Sequence, residues 1–74
     1  MKLTKENIRS QIIKNAVINM HEFGYEYANE ENIINDEVYC IFFKSMLQHN
    51  LGKASKRIDE VIVELIGEID NLSK

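Results

Sequence analysis

Two histidines and one cysteine are the residues of this sequence whose side chains are best suited to metal binding or catalysis. A zinc site on a helix needs two such ligands four residues apart, and neither His21 nor His49 has another histidine or cysteine at that spacing. Cys40 stands in an apolar run, which indicates a buried thiol in a reducing compartment. The sequence therefore predicts no enzymatic activity, no metal and no cofactor.

A short basic corner, residues 53–57, is the second candidate for chemistry. Gly52-Lys53-Ala54-Ser55 is similar to the end of a phosphate-binding loop, but Leu47 stands where the first glycine of that motif belongs. The cations of the corner and the free amides of a following helix still form a candidate anion site. Binding of a nucleic acid or nucleotide here is thus the alternative function, although a net charge of −3 opposes contact with DNA phosphates. The cations are Lys53, Lys56 and Arg57.

Charge runs along the chain in four blocks of alternating sign. Residues 1–20 carry four bases and one acid, and residues 21–43 carry six acids and no base. Residues 44–57 carry four bases and no acid, and residues 58–74 carry five acids and one base. We interpret the alternation as attraction between neighbouring helices. The other interpretation is that a basic and an acidic patch face different partners, or face each other across a homo-oligomer.

Composition places the chain among small helical proteins. It has 74 residues, no proline and three glycines, with many Ile, Lys, Glu and Asn residues, which favours an all-α fold in one domain, residues 1–74. A core of this size is marginal and needs well-packed helices or a homo-oligomer to support it. No stretch approaches the ~18 to 20 apolar residues of a membrane span, so we expect no membrane contact and a cytoplasmic protein.

Capping residues and hydrophobic periodicity predict three helices in a compact bundle. The predicted helices cover residues 5–23, 36–50 and 55–72. Thr4 begins the first, either Asn35 or Asp36 begins the second, and Ser55 begins the last. Asn29 is expected to begin one short additional helical turn before the second of these helices. The fold prediction is therefore a compact three-helix bundle with a short extra turn, and we expect it to form a homodimer or a higher homo-oligomer.

The last predicted helix has the clearest periodicity in the chain. Its apolar residues recur every three or four positions, and Glu60, Glu64 and Glu68 form a ridge on the opposite side. Like charges at this spacing oppose a helix unless basic groups lie nearby. Gly67 lies off the apolar stripe, which is typical either of an exposed position or of a close approach by a second helix.

The helix over residues 36–50 is apolar almost all round. Its polar residues form only a narrow stripe, and a helix of this kind is normally buried. Two other helices cannot cover all of it in so small a domain, so we predict that part of it binds a protein partner, either a second copy of the chain or a foreign protein. The predicted contact residues, rimmed by acids and occluding a partly basic surface, are Tyr39, Ile41, Phe43 and Leu47.

One stretch carries a family resemblance. The segment Asp36-Glu37-Val38-Tyr39-Cys40-Ile41-Phe42-Phe43-Lys44-Ser45-Met46-Leu47, with Asn50-Leu51-Gly52 and the acidic final helix, resembles small uncharacterised accessory proteins of large tailed phages. The resemblance covers about half of the chain. It implies a regulator or inhibitor, made early in infection, that binds a host factor or a host defence component in the host cytoplasm. It implies no particular functional residues.

Overall fold

The structure, a computed structural model, describes residues 4–72. These residues form four helices and no strand, so the all-α prediction is confirmed. The helices are α1 (Lys5–Glu22), α2 (Asn32–Asn35), α3 (Glu37–Asn50) and α4 (Lys56–Leu72). Each long helix begins and ends within one residue of its predicted bounds, and no helix of the described part is both long and apolar enough to cross a membrane.

A side-chain oxygen stabilises the start of each long helix. Thr4 accepts a hydrogen bond from a first-turn amide of α1 (3.1 Å), and Ser55 accepts one from α4 (3.3 Å). At α3 the cap is Asp36 rather than Asn35, because the Asp36 carboxylate accepts from two successive amides, at 2.9 and 3.3 Å. These caps use amides that have no partner inside the helix, which explains where the helices begin.

A glycine follows the end of α1. Gly24 has φ +99°, its amide donates to the carbonyl of His21 (3.1 Å), and the amide of Tyr25 donates to the carbonyl of Met20 (2.9 Å). This pair of bonds is the Schellman motif, which requires a left-handed residue just past the helix. The motif turns the chain so that Tyr25 lies back against the bundle.

Asn29 organises the segment before α3. Its side-chain oxygen accepts hydrogen bonds from the amides of Glu31 (2.9 Å) and Asn32 (2.8 Å), and Asn32 in turn accepts from the amide of Asn29 (2.9 Å). The predicted short helical turn is present, but it begins at Asn32 with Glu31 as its capping residue, and Asn29 organises the chain just before it. The turn is α2, and it places Ile33 fully in the core.

One core joins the four helices, and α4 lies at its centre. α4 packs closely against α1, α2 and α3, whereas α1 and α3 do not pack closely against each other. None of the polar or charged side chains in the described chain is buried. The buried residues are Ile8, Ile13, Ala16, Met20, Ala28, Ile33, Phe43, Leu47, Val61, Ile62, Leu65 and Ile69.

The inner side of α3 corrects part of the sequence prediction. Phe43 is 0% exposed and Leu47 is 2% exposed, so the expectation that these two side chains reach a partner is wrong. They lie on the side of α3 that faces α4, where neighbouring helices remove them from water. The opposite side of α3 remains open, and Ile41 there is 67% exposed, as its isolated position in the sequence pattern predicts.

Candidate functional site

The histidines and the cysteine do not converge on a common point. The His21 Nε2 lies 2.7 Å from the carbonyl of Ala28, and the His49 Nε2 lies 3.2 Å from the Lys53 Nζ. Cys40 is half-buried, and its thiol donates to a backbone carbonyl one turn earlier in α3 (3.5 Å). Within residues 4–72 no three His, Cys, Asp or Glu side chains gather as metal ligands.

The basic corner already contains an acceptor from the chain itself. Lys53, Lys56 and Arg57 are exposed, but the amide of Gly52 donates to the carboxylate of Asp59 (3.0 Å). The hydroxyl of Ser55, within the corner, accepts a hydrogen bond from the amide of Ile58, which directly follows the corner. An anion arriving here would meet a negative charge and would have to replace existing hydrogen bonds, which weakens the case for a phosphate site.

Four aromatic rings form a continuous row from the end of α1 to α3. The ring centroids of Phe23 and Phe42 lie 5.5 Å apart, those of Phe42 and Tyr25 lie 5.2 Å apart, and those of Tyr25 and Tyr39 lie 5.6 Å apart. These separations suit tilted and edge-to-face contacts, which hold the rings in fixed positions. The Schellman motif positions the rings of Phe23 and Tyr25, and α3 positions the rings of Tyr39 and Phe42.

The aromatic row continues into exposed aliphatic side chains of α3. Phe23 is 71% exposed, Val38 is 63% exposed and Ile41 is 67% exposed. Val38 precedes Ile41 by three residues and Phe42 by four, so the three side chains are neighbours on one side of the helix. We call the four rings with Val38 and Ile41 the aromatic face. A contiguous exposed apolar surface of this kind is typical of a binding interface.

A groove runs along the aromatic face between α1 and α3. It encloses ≈ 340 Å³, and it exists because the two helices both pack on α4 but not closely on each other. Its apolar members are Phe23, Phe42 and Met46. Its other members are Asn19, Ser45, His49 and Asn50, which are polar. A mixture of apolar and polar lining residues is usual in a protein-binding site.

Three of the four charge blocks pair with one another across the bundle. Lys5 lies 3.7 Å from both Glu60 and Glu64, Arg9 pairs with Glu68, and Lys44 lies 2.6 Å from Asp70. The interpretation that neighbouring helices attract each other is confirmed for these blocks, and the glutamate ridge of α4 has the basic neighbours that it needs. Lys2 and Lys74 lie outside the described residues.

The acidic block of residues 21–43 is the exception. One of its six acids, Asp36, caps α3. The other five are exposed and form no ion pair with any residue in the range 4–72, and we call them the unpaired carboxylates. They are Glu22, Glu26, Glu30, Glu31 and Glu37. The aromatic face is therefore built from the same stretch of chain as the acids that the fold leaves unneutralised.

Comparison with family models, with characterised proteins and with solved structures finds no match to this chain. The resemblance to phage accessory proteins therefore stays an expectation.

The structure separates the four predicted contact residues into two pairs. Tyr39 and Ile41 belong to the aromatic face, whereas Phe43 and Leu47 belong to the core. Sequence reasoning did not identify Phe23 as exposed, because its spacing assigned it to the apolar side of the first helix. Phe23 is the residue that caps the end of α1, so the helical periodicity no longer determines where its ring points.

Proposed function

We propose that this chain is a non-enzymatic protein-binding module that docks on its partner through the aromatic face. The observation that carries the proposal is an aromatic row in which Phe23 is exposed and the other three rings are half-buried, with the exposed Val38 and Ile41 on the same helix as two of the rings. Five carboxylates of the same stretch of chain form no ion pair with a base of residues 4–72. Aromatic side chains supply much of the energy of protein interfaces, because they bury a large area and lose little conformational entropy. Ordered ring contacts add to this, since the face is preorganised for binding.

The mode of action in this proposal is occlusion. A small protein without converging catalytic groups changes the activity of a partner by covering part of the partner's surface. A regulator or inhibitor of a host factor, which the resemblance implies, would act in this way. The aromatic face would bury against a partner surface that is partly basic.

The sequence predicts a homo-oligomer, but the charges of residues 21–43 favour a foreign protein over a second copy of the chain at the aromatic face. In a twofold dimer the same patch meets itself, so the unpaired carboxylates of one copy would face those of the other. Like charges at an interface oppose association. We expect light scattering at micromolar concentration to give a mass near 8.6 kDa, whereas a mass of twice that value would assign the face to self-association.

Affinity capture from the native cytosol, followed by mass spectrometry, tests the proposal. The bait is compared with the double variant Phe23→Ser/Ile41→Ser and with a matched control, Ile18→Ser/Val63→Ser, whose side chains are also exposed but lie off the face. We expect a partner that binds the native chain and the control but not the face variant. Equal recovery by all three would contradict a role for the face.

Binding of a labelled DNA duplex or a cyclic nucleotide at low salt tests the competing class. Loss of such binding on charge reversal at Lys53, Lys56 and Arg57 would favour the basic corner over the aromatic face. We expect no such binding, because the amide of Gly52 is already bonded to Asp59.

A further inference from the structure

We infer that the groove between α1 and α3 receives a short helical segment of the partner that carries an aspartate or a glutamate beside its apolar side chains. This inference rests on the proposed function and specifies the chemistry that one part of the aromatic face recognises. Two observations support it, which are the side chains that line the groove and the position of the Lys53 ammonium.

The first observation is that no carboxylate lines the groove. The apolar members of the lining are Phe23, Phe42 and Met46, and each of the four polar members can donate a hydrogen bond. A carboxylate that enters beside an apolar side chain therefore meets donors and no like charge. The polar members are Asn19, Ser45, His49 and Asn50.

The α3 side of the groove suits a helical occupant. Its members, from Phe42 to Asn50, recur at spacings of three and four along one side of α3, over two turns or about 12 Å. A partner helix with apolar side chains at i, i+4 and i+7 covers the same length, and such spacing is usual when a helix binds in a groove.

The second observation is a positive charge at the His49 end of the groove. The Lys53 Nζ lies 3.2 Å from the His49 Nε2, and an ammonium can only donate, so the imidazole accepts through this nitrogen. The neutral ring then carries its hydrogen on Nδ1, which leaves His49 a donor as well. Lys53 forms no ion pair with any residue in the range 4–72, so its charge is available to a carboxylate of the partner.

This site differs from the anion site predicted at the basic corner. The corner site also needs the amides before α4, and the amide of Gly52 is already bonded to Asp59. The groove needs only the side chain of Lys53, whose ammonium reaches back to His49 of α3. A free phosphate offers no apolar group for the part of the groove that Phe23 lines, whereas a protein segment offers both a charge and apolar side chains.

The unpaired carboxylates concern a different part of the contact. None of the five lines the groove. The partner is therefore basic where it meets these acids and acidic where it enters the groove.

The test uses three synthetic alanine-rich peptides of about 18 residues, long enough to be helical in water. All three have leucine at i, i+4 and i+7, and on both sides of these anchors they carry glutamate, glutamine or lysine. Glutamine has the shape of glutamate without its charge, so the first two peptides isolate the effect of the carboxylate.

Binding is measured by fluorescence anisotropy at low and at physiological salt, and the amide signals of residues 45–50 are followed by NMR. The proteins are the native chain, Lys53→Gln, Phe23→Ser and the matched control Lys14→Gln. Lys14 is also an exposed lysine without an ion pair in the described chain, but it does not line the groove. Circular dichroism checks that each variant is folded.

We expect the native chain and Lys14→Gln to bind the glutamate peptide roughly two- to fivefold more tightly than the glutamine peptide, the effect of one exposed ion pair. Lys53→Gln should bind these two peptides equally and keep its affinity for the glutamine peptide. Phe23→Ser should weaken binding of both, because it removes an apolar ring from the groove. The lysine peptide should bind more weakly than the glutamate peptide, and added salt should reduce the preference for glutamate.

Several results would overturn the inference while the proposed function stands. Equal binding of all three peptides, each weakened by Phe23→Ser, would mean that the face binds protein without selecting charge. Tightest binding of the lysine peptide would assign the groove to a basic segment. A preference for glutamate that survives in Lys53→Gln would place the carboxylate away from Lys53.

A different result would bear on the proposed function as well. If no peptide shifts the amide signals of residues 45–50, the groove is not a binding site and the inference fails. Equal recovery of partners by the native chain and Phe23→Ser/Ile41→Ser in the affinity capture would then reject the proposed function too.

Discussion

At the scale of single residues, backbone conformation decides where α1 ends. Gly24 has φ +99°, a region where a side chain strains the backbone, and a Cβ added there would meet no atom within 4 Å. A substitution at this position therefore reports the cost of the conformation alone, without any steric clash. Gly67 is also free of contacts but lies inside α4 with ordinary helical geometry.

We predict that Gly24→Ala lowers the free energy of unfolding by about 1 to 2 kcal/mol, because alanine opposes the left-handed conformation of the Schellman motif. Urea denaturation followed by circular dichroism measures the change. Loss of the motif would also displace Phe23 and Tyr25, so the variant should bind a partner more weakly even at temperatures where it is folded.

Gly67→Ala is expected to change stability in the opposite direction. It should raise the free energy of unfolding by roughly 0.5 to 1 kcal/mol, because alanine reduces the entropy of the unfolded chain and fits an exposed helix interior. A destabilised Gly67→Ala variant would show that a second helix approaches this position in solution, which was the other interpretation of the sequence.

At the scale of elements, the apolar pattern of α4 predicts which side of the helix is buried, whereas that of α3 does not. α4 has one apolar stripe, and Val61, Ile62, Leu65 and Ile69 from that stripe are buried. α3 is apolar on most sides, so its periodicity does not distinguish the side that packs on α4 from the side that faces solvent. The start of α3, in contrast, is decided locally, because the carboxylate of Asp36 accepts hydrogen bonds from two amides of the first turn.

The cap of α3 gives a prediction that separates Asp36 from its neighbour. Asp36→Ala should lower the free energy of unfolding by about 1 kcal/mol, because two first-turn amides lose their acceptor. Asn35→Ala should change it by less than about 0.5 kcal/mol, as expected for a surface substitution. Equal effects in urea denaturation would mean that the cap is shared between the two residues.

The two sides of α3 give a second prediction at this scale. Phe43→Ala should lower the free energy of unfolding by about 3 to 5 kcal/mol, because a fully buried ring leaves a cavity. Ile41→Ala should change stability by no more than about 0.5 kcal/mol, since its side chain is mostly in water, yet it should weaken partner binding. A large loss of stability for Ile41→Ala would show that the outer side of α3 is covered in the free protein.

At the scale of the whole molecule, the charged side chains fall into two groups. Some form ion pairs between helices, and others form no ion pair within residues 4–72. Lys5 and Arg9 of α1 and Lys44 of α3 pair with acids of α4, whereas five acids of residues 21–43 form no ion pair within the described chain. These pairs are exposed, so each contributes little to stability.

We predict that Arg9 and Glu68 are coupled in a double-mutant cycle by between about 0.2 and 1 kcal/mol, the range of exposed ion pairs. The swap Arg9→Glu/Glu68→Arg should recover stability that Arg9→Glu loses. Thermal melts in about 1 M salt should show a smaller coupling, because salt screens exposed charges. A coupling unchanged by salt would indicate that packing, rather than charge, joins the two residues.

The sequence by itself determined the features that depend on a few consecutive residues. The caps at Thr4 and Ser55 and the glycine after α1 are local, because a side chain or a φ angle within one turn decides them. The buried side of α4 could also be predicted from consecutive residues, since a helix with one apolar side can bury that side in only one orientation. For these reasons the bounds of the three long helices could be predicted to within one residue.

Only the tertiary structure decided which parts of that helical framework face a partner. An evenly apolar helix has no preferred rotation until its neighbours pack on it, so α3 turned Phe43 and Leu47 inward and left Ile41 outside. α3 packs against both α2 and α4, and α4 lies later in the chain. The pairing of charges was decided in the same way, because the distance between two charges depends on how the helices pack, and that packing left Glu22 and Glu26 without an ion pair among residues 4–72.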